Sequence, residues 1–257
     1  MGERAGRYAL IDTIRGLAIV NMVAFHFLYD VFMVYAVDPS WYARPAVHVW
    51  QQAICWTFIL VSGFVWPWGS RGNLGRGVML NVCGLVISGV TCLVMPSEAV
   101  WFGILNFIGC AVLLMIPLER ALRRVPAAIG LVGSFALFEV FRDVQLGYLG
   151  IDGLFRLDLP SWLYDCRVLT PFGFPFDGFS SSDYFPILPW LFLYMCGYFL
   201  NRIFARIAVA QRAARHGIAP LSAIGRHGIW IYLAHQPVCM LACMALAQAG
   251  LLAALPV

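Results

Sequence analysis

The sequence predicts an all-α, polytopic membrane helix bundle of about seven transmembrane helices, with its N-terminus in the cytoplasm. Three observations carry that prediction: apolar runs long enough to cross a bilayer, a shortage of charge, and arginines gathered in alternate loops. The chain is 61% hydrophobic and 12% charged, with a mean hydropathy of +0.80, whereas a soluble domain is about a quarter charged. So few polar groups cannot cover a soluble fold of 257 residues.

A helix crosses the hydrocarbon with about 20 apolar residues. Seven segments qualify, roughly 9–35, 46–66, 77–95, 99–118, 126–145, 183–204 and 222–250. The first has a basic start, but Asp12 and Arg15 interrupt it and no small-residue cleavage pattern follows, so it reads as a retained anchor rather than a signal peptide. His48 opens the second on its outer side, Asn106 lies in the fourth in "WFGILNFIG", and Asp183 begins the sixth in "SSDYFPILPW". The last carries His235 in "YLAHQP", where Pro237 removes a backbone donor and can bend the helix. Membrane-spanning strands are not expected, because the apolar runs are continuous rather than alternating.

Charge sets the orientation. All 17 basic side chains are arginines, and with the N-terminus inside they divide 13 to 4 in favour of the cytoplasm, leaving Arg44, Arg142, Arg156 and Arg167 outside. Asp38, Glu98, Asp152, Asp158, Asp165 and Asp177 fall in the outside loops, and seven spans place the C-terminus outside. The net charge of +4 is then a topology signal that calls for no nucleic-acid partner. The alternative is that Arg71, Arg76 or the Arg120/Arg123/Arg124 cluster also meets an anionic cytoplasmic ligand. Seven of the eight cysteines lie in these segments, where they pack as small apolar residues, and Cys166 lies in a loop. Without CxxC or Cys/His spacing, neither a disulfide framework nor a metal site is expected.

Residues 1–257 read as one domain without an internal repeat. The longest interruption, about 146–182, is too apolar for a disordered linker and too long for an idle turn. It is expected to fold back as an outside cap, with a short helix of its own; a loop lying loosely at the lipid interface is the alternative.

Ionisable groups in membrane helices normally face the bundle interior or a watery cavity. Asp12 and Arg15, three apart, share a face near the cytoplasmic end; they form either a local ion pair or a site where Arg15 meets a phosphate or acyl thioester. His26 and Asp30 are four apart, past the midplane toward the outside, with Asn21 nearby. A carboxylate beside an imidazole fixes its tautomer and raises its basicity, though a single buried histidine is often only a satisfied core residue. With His48, Asn106, Asp183 and His235, polar groups stand on five helices, and a shared cavity would satisfy them.

"IDTIRGLAIVNMVAFHFLYD" resembles the first-helix signature of the heparan-α-glucosaminide N-acetyltransferase catalytic-domain family in its short bacterial branch, within the transmembrane acyltransferases. "FILVSGF", "WFGILNFIG", "SDYFPILPW" and "IGRHGIWIYLAHQPV" match the later motifs in order, so the resemblance covers nearly the whole chain. It implies a multi-pass enzyme of the bacterial inner membrane that moves an acetyl group from cytoplasmic acetyl-CoA (acyl-CoA) to a sugar-like or other small-molecule or glycan acceptor outside. His26, aided by Asp30, is then the leading catalytic residue, and Arg15, Asn21, His48, Asn106, Asp183 and His235 are substrate- or cofactor-binding candidates, without metal. His26 stands where the lysosomal enzyme has asparagine, and His48 lies nearest that enzyme's later histidine, so which histidine acts stays open. Homo-oligomers are compatible with this reading. A proton-coupled small-molecule transporter would use the same His/Asp residues, and a noncatalytic scaffold would use them to bond helices together.

Overall fold

The computed structural model describes residues 8–69 and 71–252. Along them run α1 (Ala9–Tyr29), α2 (Pro45–Val65), α3 (Asn73–Val94), α4 (Ile104–Leu122), α5 (Ala127–Phe141), β1 (Tyr148–Ile151), β2 (Phe155–Asp158), α6 (Ile187–Phe204), α7 (Ala208–Ala214), α8 (Ala219–Arg226) and α9 (Gly228–Gln248). All seven anticipated segments are helical, and the molecule is a multi-span helical membrane protein. Among the described residues, six helices are long and apolar enough to cross: Ala9–Val34, Pro45–Gly69, Asn73–Val94, Ile104–Leu122, Ile187–Phe204 and Gly228–Gln248.

Two segments differ from expectation. α5 has only 15 residues, about 22 Å of helix against a hydrocarbon core of about 30 Å. Pro126 precedes its first turn, and the polar run Glu139, Arg142, Asp143 ends it, with Arg142 paired to Glu139 at 3.5 Å. The stretch at 222–250 is not one helix: α8 stops at Arg226 and α9 starts at Gly228, with His227 between them.

The stretch at 146–182 is ordered as a hairpin followed by short 3-10 helices. β1 pairs antiparallel with β2, Tyr148 opposite Asp158. The turn is closed by the Leu154 N–H donating to the Ile151 carbonyl at 2.9 Å, with Gly153 at φ +80° where a type II turn needs positive φ. The 3-10 turns span Ser161–Tyr164 and Arg167–Phe172. The Tyr164 hydroxyl donates to the Val144 carbonyl and the Tyr184 hydroxyl to that of Thr170, and β1 packs on α5.

The outward faces are apolar: on α3, Leu85 is 66% and Leu93 86% exposed, a stripe that water would penalise and lipid tolerates. The contacts divide into two compact units, the described residues up to Phe58 with those from Ile207 onward, and Ile59–Arg206. In the first, Met22, Phe25, Trp41, Val47 and Ile54 form a buried cluster. Here α1 and α8 meet backbone to backbone: a Cβ on Gly16 would lie 1.9 Å from the Leu221 carbonyl oxygen, and one on Gly225 2.0 Å from that of Asp12. Thr13 and Ser222 hydroxyls, 2.8 Å apart, tie the same crossing. In the second unit, Trp66 is buried and donates through Nε1 to the Val112 carbonyl at 3.0 Å.

Candidate functional site

The first unit brings two of the sequence candidates face to face. His26 sits in the last turn of α1 and His235 in the second turn of α9, their ring centroids 4.7 Å apart at an interplanar angle of 64°. α1 and α9 pack directly against each other, so neighbouring positions on α9 meet successive turns of α1. One turn beyond the histidines, Gln236 Nε2 donates to Asp30 Oδ1 at 2.9 Å.

His235 is 8% exposed and its Nδ1 lies against the Tyr232 carbonyl oxygen. A carbonyl only accepts, so Nδ1 must carry the hydrogen, and Nε2 is left with its lone pair. That Nε2 is buried and has no hydrogen-bond partner among the described residues. The same is true of Gln236 Oε1. Buried polar atoms are normally paired, and two orphans on adjacent residues mark a place where a donor from a ligand or water belongs. His26 is half-buried.

The fully buried Asp30 begins a π-helical turn, Asp30–Val34, in which the Tyr35 N–H reaches back to the Asp30 carbonyl at 2.9 Å. Such a turn commonly marks a functional position. Asp30 accepts from Gln236, and the ring beside His26 is that of His235. Helical spacing gave the shared face correctly, but not which helix would pack against it.

The remaining candidates play other parts. Arg15 pairs with Asp12 at 3.1 Å, the local ion pair that was one of its two readings. Asn21 ties α1 to α2: its Oδ1 accepts from Trp50 Nε1 at 3.0 Å and its Nδ2 donates to the Leu17 carbonyl at 2.9 Å. His48 is exposed on the first turn of α2 and takes no part in the ring pair.

Two candidates belong to the second unit. Asn106 donates to the Asn81 carbonyl at 3.3 Å, tying α4 to α3, and occupies the space a side chain on Gly84 would need. Asp183 accepts from the Ile104 N–H at 3.0 Å through Oδ2, capping the N-terminus of α4. Burial pushes its carboxyl up to about 6, with the Ile104 bond pulling the other way. Sequence reasoning passed over Gln236, although it follows His235 directly in "AHQP" and a glutamine inside an apolar span carries the same cost argument as a histidine. No cluster of three or more His, Cys, Asp or Glu among the described residues could hold a metal ion.

Chemically, the ring pair can take a proton from a donor brought to His235 Nε2, and the nearby Gln236 carbonyl can accept a second hydrogen bond. A family model described as heparan-alpha-glucosaminide N-acetyltransferase, catalytic, matches residues 7–237. No curated protein and no solved structure matches the chain.

Proposed function

The chain belongs to the heparan-alpha-glucosaminide N-acetyltransferase catalytic family, and from that premise we propose that it transfers an acetyl or longer acyl group from cytoplasmic acyl-CoA to an amino or hydroxyl group of a sugar-like acceptor at the outer side of the inner membrane. Family membership supports a transferase. The observation that carries the chemistry is the buried, unpartnered Nε2 of His235 on a ring whose centroid lies 4.7 Å from that of His26.

In this reading the acceptor N–H or O–H donates to the histidine pair as its nitrogen or oxygen attacks the thioester carbonyl carbon. A C–N or C–O bond forms and the C–S bond breaks. The imidazolium returns its proton to the departing thiolate, so acylated acceptor and free CoA leave with atoms and charge balanced. His26 and His235 handle the proton. Asp30 positions α9 through Gln236, and the Gln236 carbonyl orients the acceptor. Asn21, Asn106 and Asp183 hold helices in register, and Arg15 lies near the start of α9, where a Cβ on Gly228 would be 3.6 Å from its Cδ.

The test is release of free CoA from acetyl-CoA by the purified chain in nanodiscs, with amino-sugar and hydroxyl acceptors supplied. Loss of a general base costs about 10²–10⁴ in rate, so His235→Ala and His26→Ala should each lower turnover into that range while remaining folded. Wild-type turnover by both variants would remove the proposed role of the pair. Solute flux through proteoliposomes without CoA dependence would favour the transporter.

A further inference from the structure

The second unit holds an arginine whose charge the site above does not use. Arg76 is half-buried in the first turns of α3 and donates from Nη2 to Ser62 Oγ at 3.2 Å. No carboxylate among the described residues lies within ion-pair distance of it; the recorded pairs involve Arg15, Arg44, Arg123, Arg142 and Arg156. A guanidinium within a membrane span normally finds a partner charge.

Beside it stands a second unmatched group. Tyr194 on α6 is 0% exposed, and its hydroxyl is buried without a hydrogen-bond partner among the described residues. That hydroxyl feels the Arg76 charge and lies within reach of the Ser62 hydroxyl, though no partner meets it in good hydrogen-bond geometry among the described residues. Asn73, 1% exposed, is fixed by its Nδ2 bond to the Trp66 carbonyl at 3.1 Å. A Cβ on Gly69 would lie 2.8 Å from Asn73 Oδ1 and 3.5 Å from Arg76 Nη1, so carboxamide and guanidinium border one small space. Three helices thus converge an uncompensated cation and two hydroxyls.

We propose that Arg76, Ser62 and Tyr194 form a binding site for a phosphate-bearing anion. The planar guanidinium fork matches two phosphate oxygens, and the two hydroxyls donate to the others. With the N-terminus inside, this end of α3 faces the cytoplasm. The phosphate is that of an anionic phospholipid headgroup or of a soluble cytoplasmic co-substrate. The soluble source rests on the acyl-transfer reading; the site itself does not.

The experiment uses the full chain in phosphatidylcholine nanodiscs, titrated with CoA, with pyrophosphate and, in separate discs, with increasing phosphatidylglycerol, binding being read by thermal unfolding. At least one probe should bind wild type and lose about tenfold or more in affinity in Arg76→Gln, the scale of a lost charge-assisted contact. Arg76→Gln keeps a donor for Ser62. Tyr194→Phe removes an unpaired hydroxyl, so it should leave unliganded stability intact while weakening the same probe about threefold to tenfold. Should Arg76→Gln fail to fold, Tyr194→Phe and Ser62→Ala carry the test. Arg76-dependent binding of phosphatidylglycerol alone identifies a headgroup site, and Arg76-dependent binding of CoA identifies the co-substrate. Pyrophosphate or lipid binding that depends on Arg76 while CoA fails to bind wild type keeps the site and removes the acyl-CoA reading. The proposal is overturned when no probe binds, or when every probe binds wild type and variants equally.

Discussion

His235 owes its chemical character to one backbone carbonyl. With Nδ1 committed to Tyr232, the nitrogen left with a lone pair is Nε2, which is buried without a hydrogen-bond partner among the described residues. Asp30 accepts from Gln236 Nε2, and the proposed role of Asp30 is to act through that bond. Asp30→Asn keeps an oxygen for the Gln236 amide and should hold CoA release within about tenfold of wild type. Asp30→Leu removes the acceptor and should cost about 10²-fold or more, the scale of a small misplacement of reacting groups; equal activity of the two variants would contradict the positioning role. Asp183 makes a separate prediction. Its carboxyl is raised from 3.8 to about 6 by burial, so the folded state binds a proton more tightly than the unfolded state. Stability should therefore fall as pH rises from about 4 to about 6 and level off above that. Asp183→Asn keeps an acceptor for Ile104 and should flatten that part of a melting-temperature profile; an unchanged slope would show that another group causes it. The polar candidates stand out in the sequence because lipid makes polar side chains costly. Their partners do not, because helical spacing reports faces within one helix and says nothing of what packs across from them. Hence His26 was read beside Asp30, and Gln236 was missed.

Among the elements, α1 and α8 cross where only hydrogen atoms fit between them. A leucine at Gly225 would drive its Cβ into the Asp12 carbonyl, separating the two helices and breaking the Thr13–Ser222 contact. Gly225→Leu should lose several kcal/mol, as overpacking without room to relax does, and emerge as aggregated or low-yield protein in size-exclusion chromatography; a monodisperse product of normal melting temperature would contradict this crossing. Long helices were legible from continuous apolar runs. α5 was overestimated because the anticipated segment ran on through the polar turn after Phe141, where Arg142 and Asp143 end the helix. The hairpin at 148–158 was hidden inside a stretch read for composition, although "IDGLF" supplies an aspartate–glycine turn between short alternating strands.

For the whole molecule, the six long spans among the described residues and the 15-residue α5 decide which side each end faces. We propose the orientation that keeps 13 of 17 arginines in the cytoplasm, with α5 crossing despite its 15 residues by locally thinned bilayer. A reporter active only outside the cytoplasm, fused after Gly250, should then be active; an inactive one beside an active cytoplasmic reporter at the same position would mean that α5 does not cross. The arginine distribution bears on orientation because charge is read during insertion. It could not reveal that histidines from α1 and α9, far apart in sequence, would share one place. Two histidines acting as a unit lose nearly everything when either is removed. The decisive measurement is therefore CoA release by wild type, His26→Ala, His235→Ala and the double variant, in parallel. The double variant should be no slower than the worse single variant within about threefold, each single loss being about 10²-fold or more. Multiplying losses, or single variants as fast as wild type, would contradict a shared site.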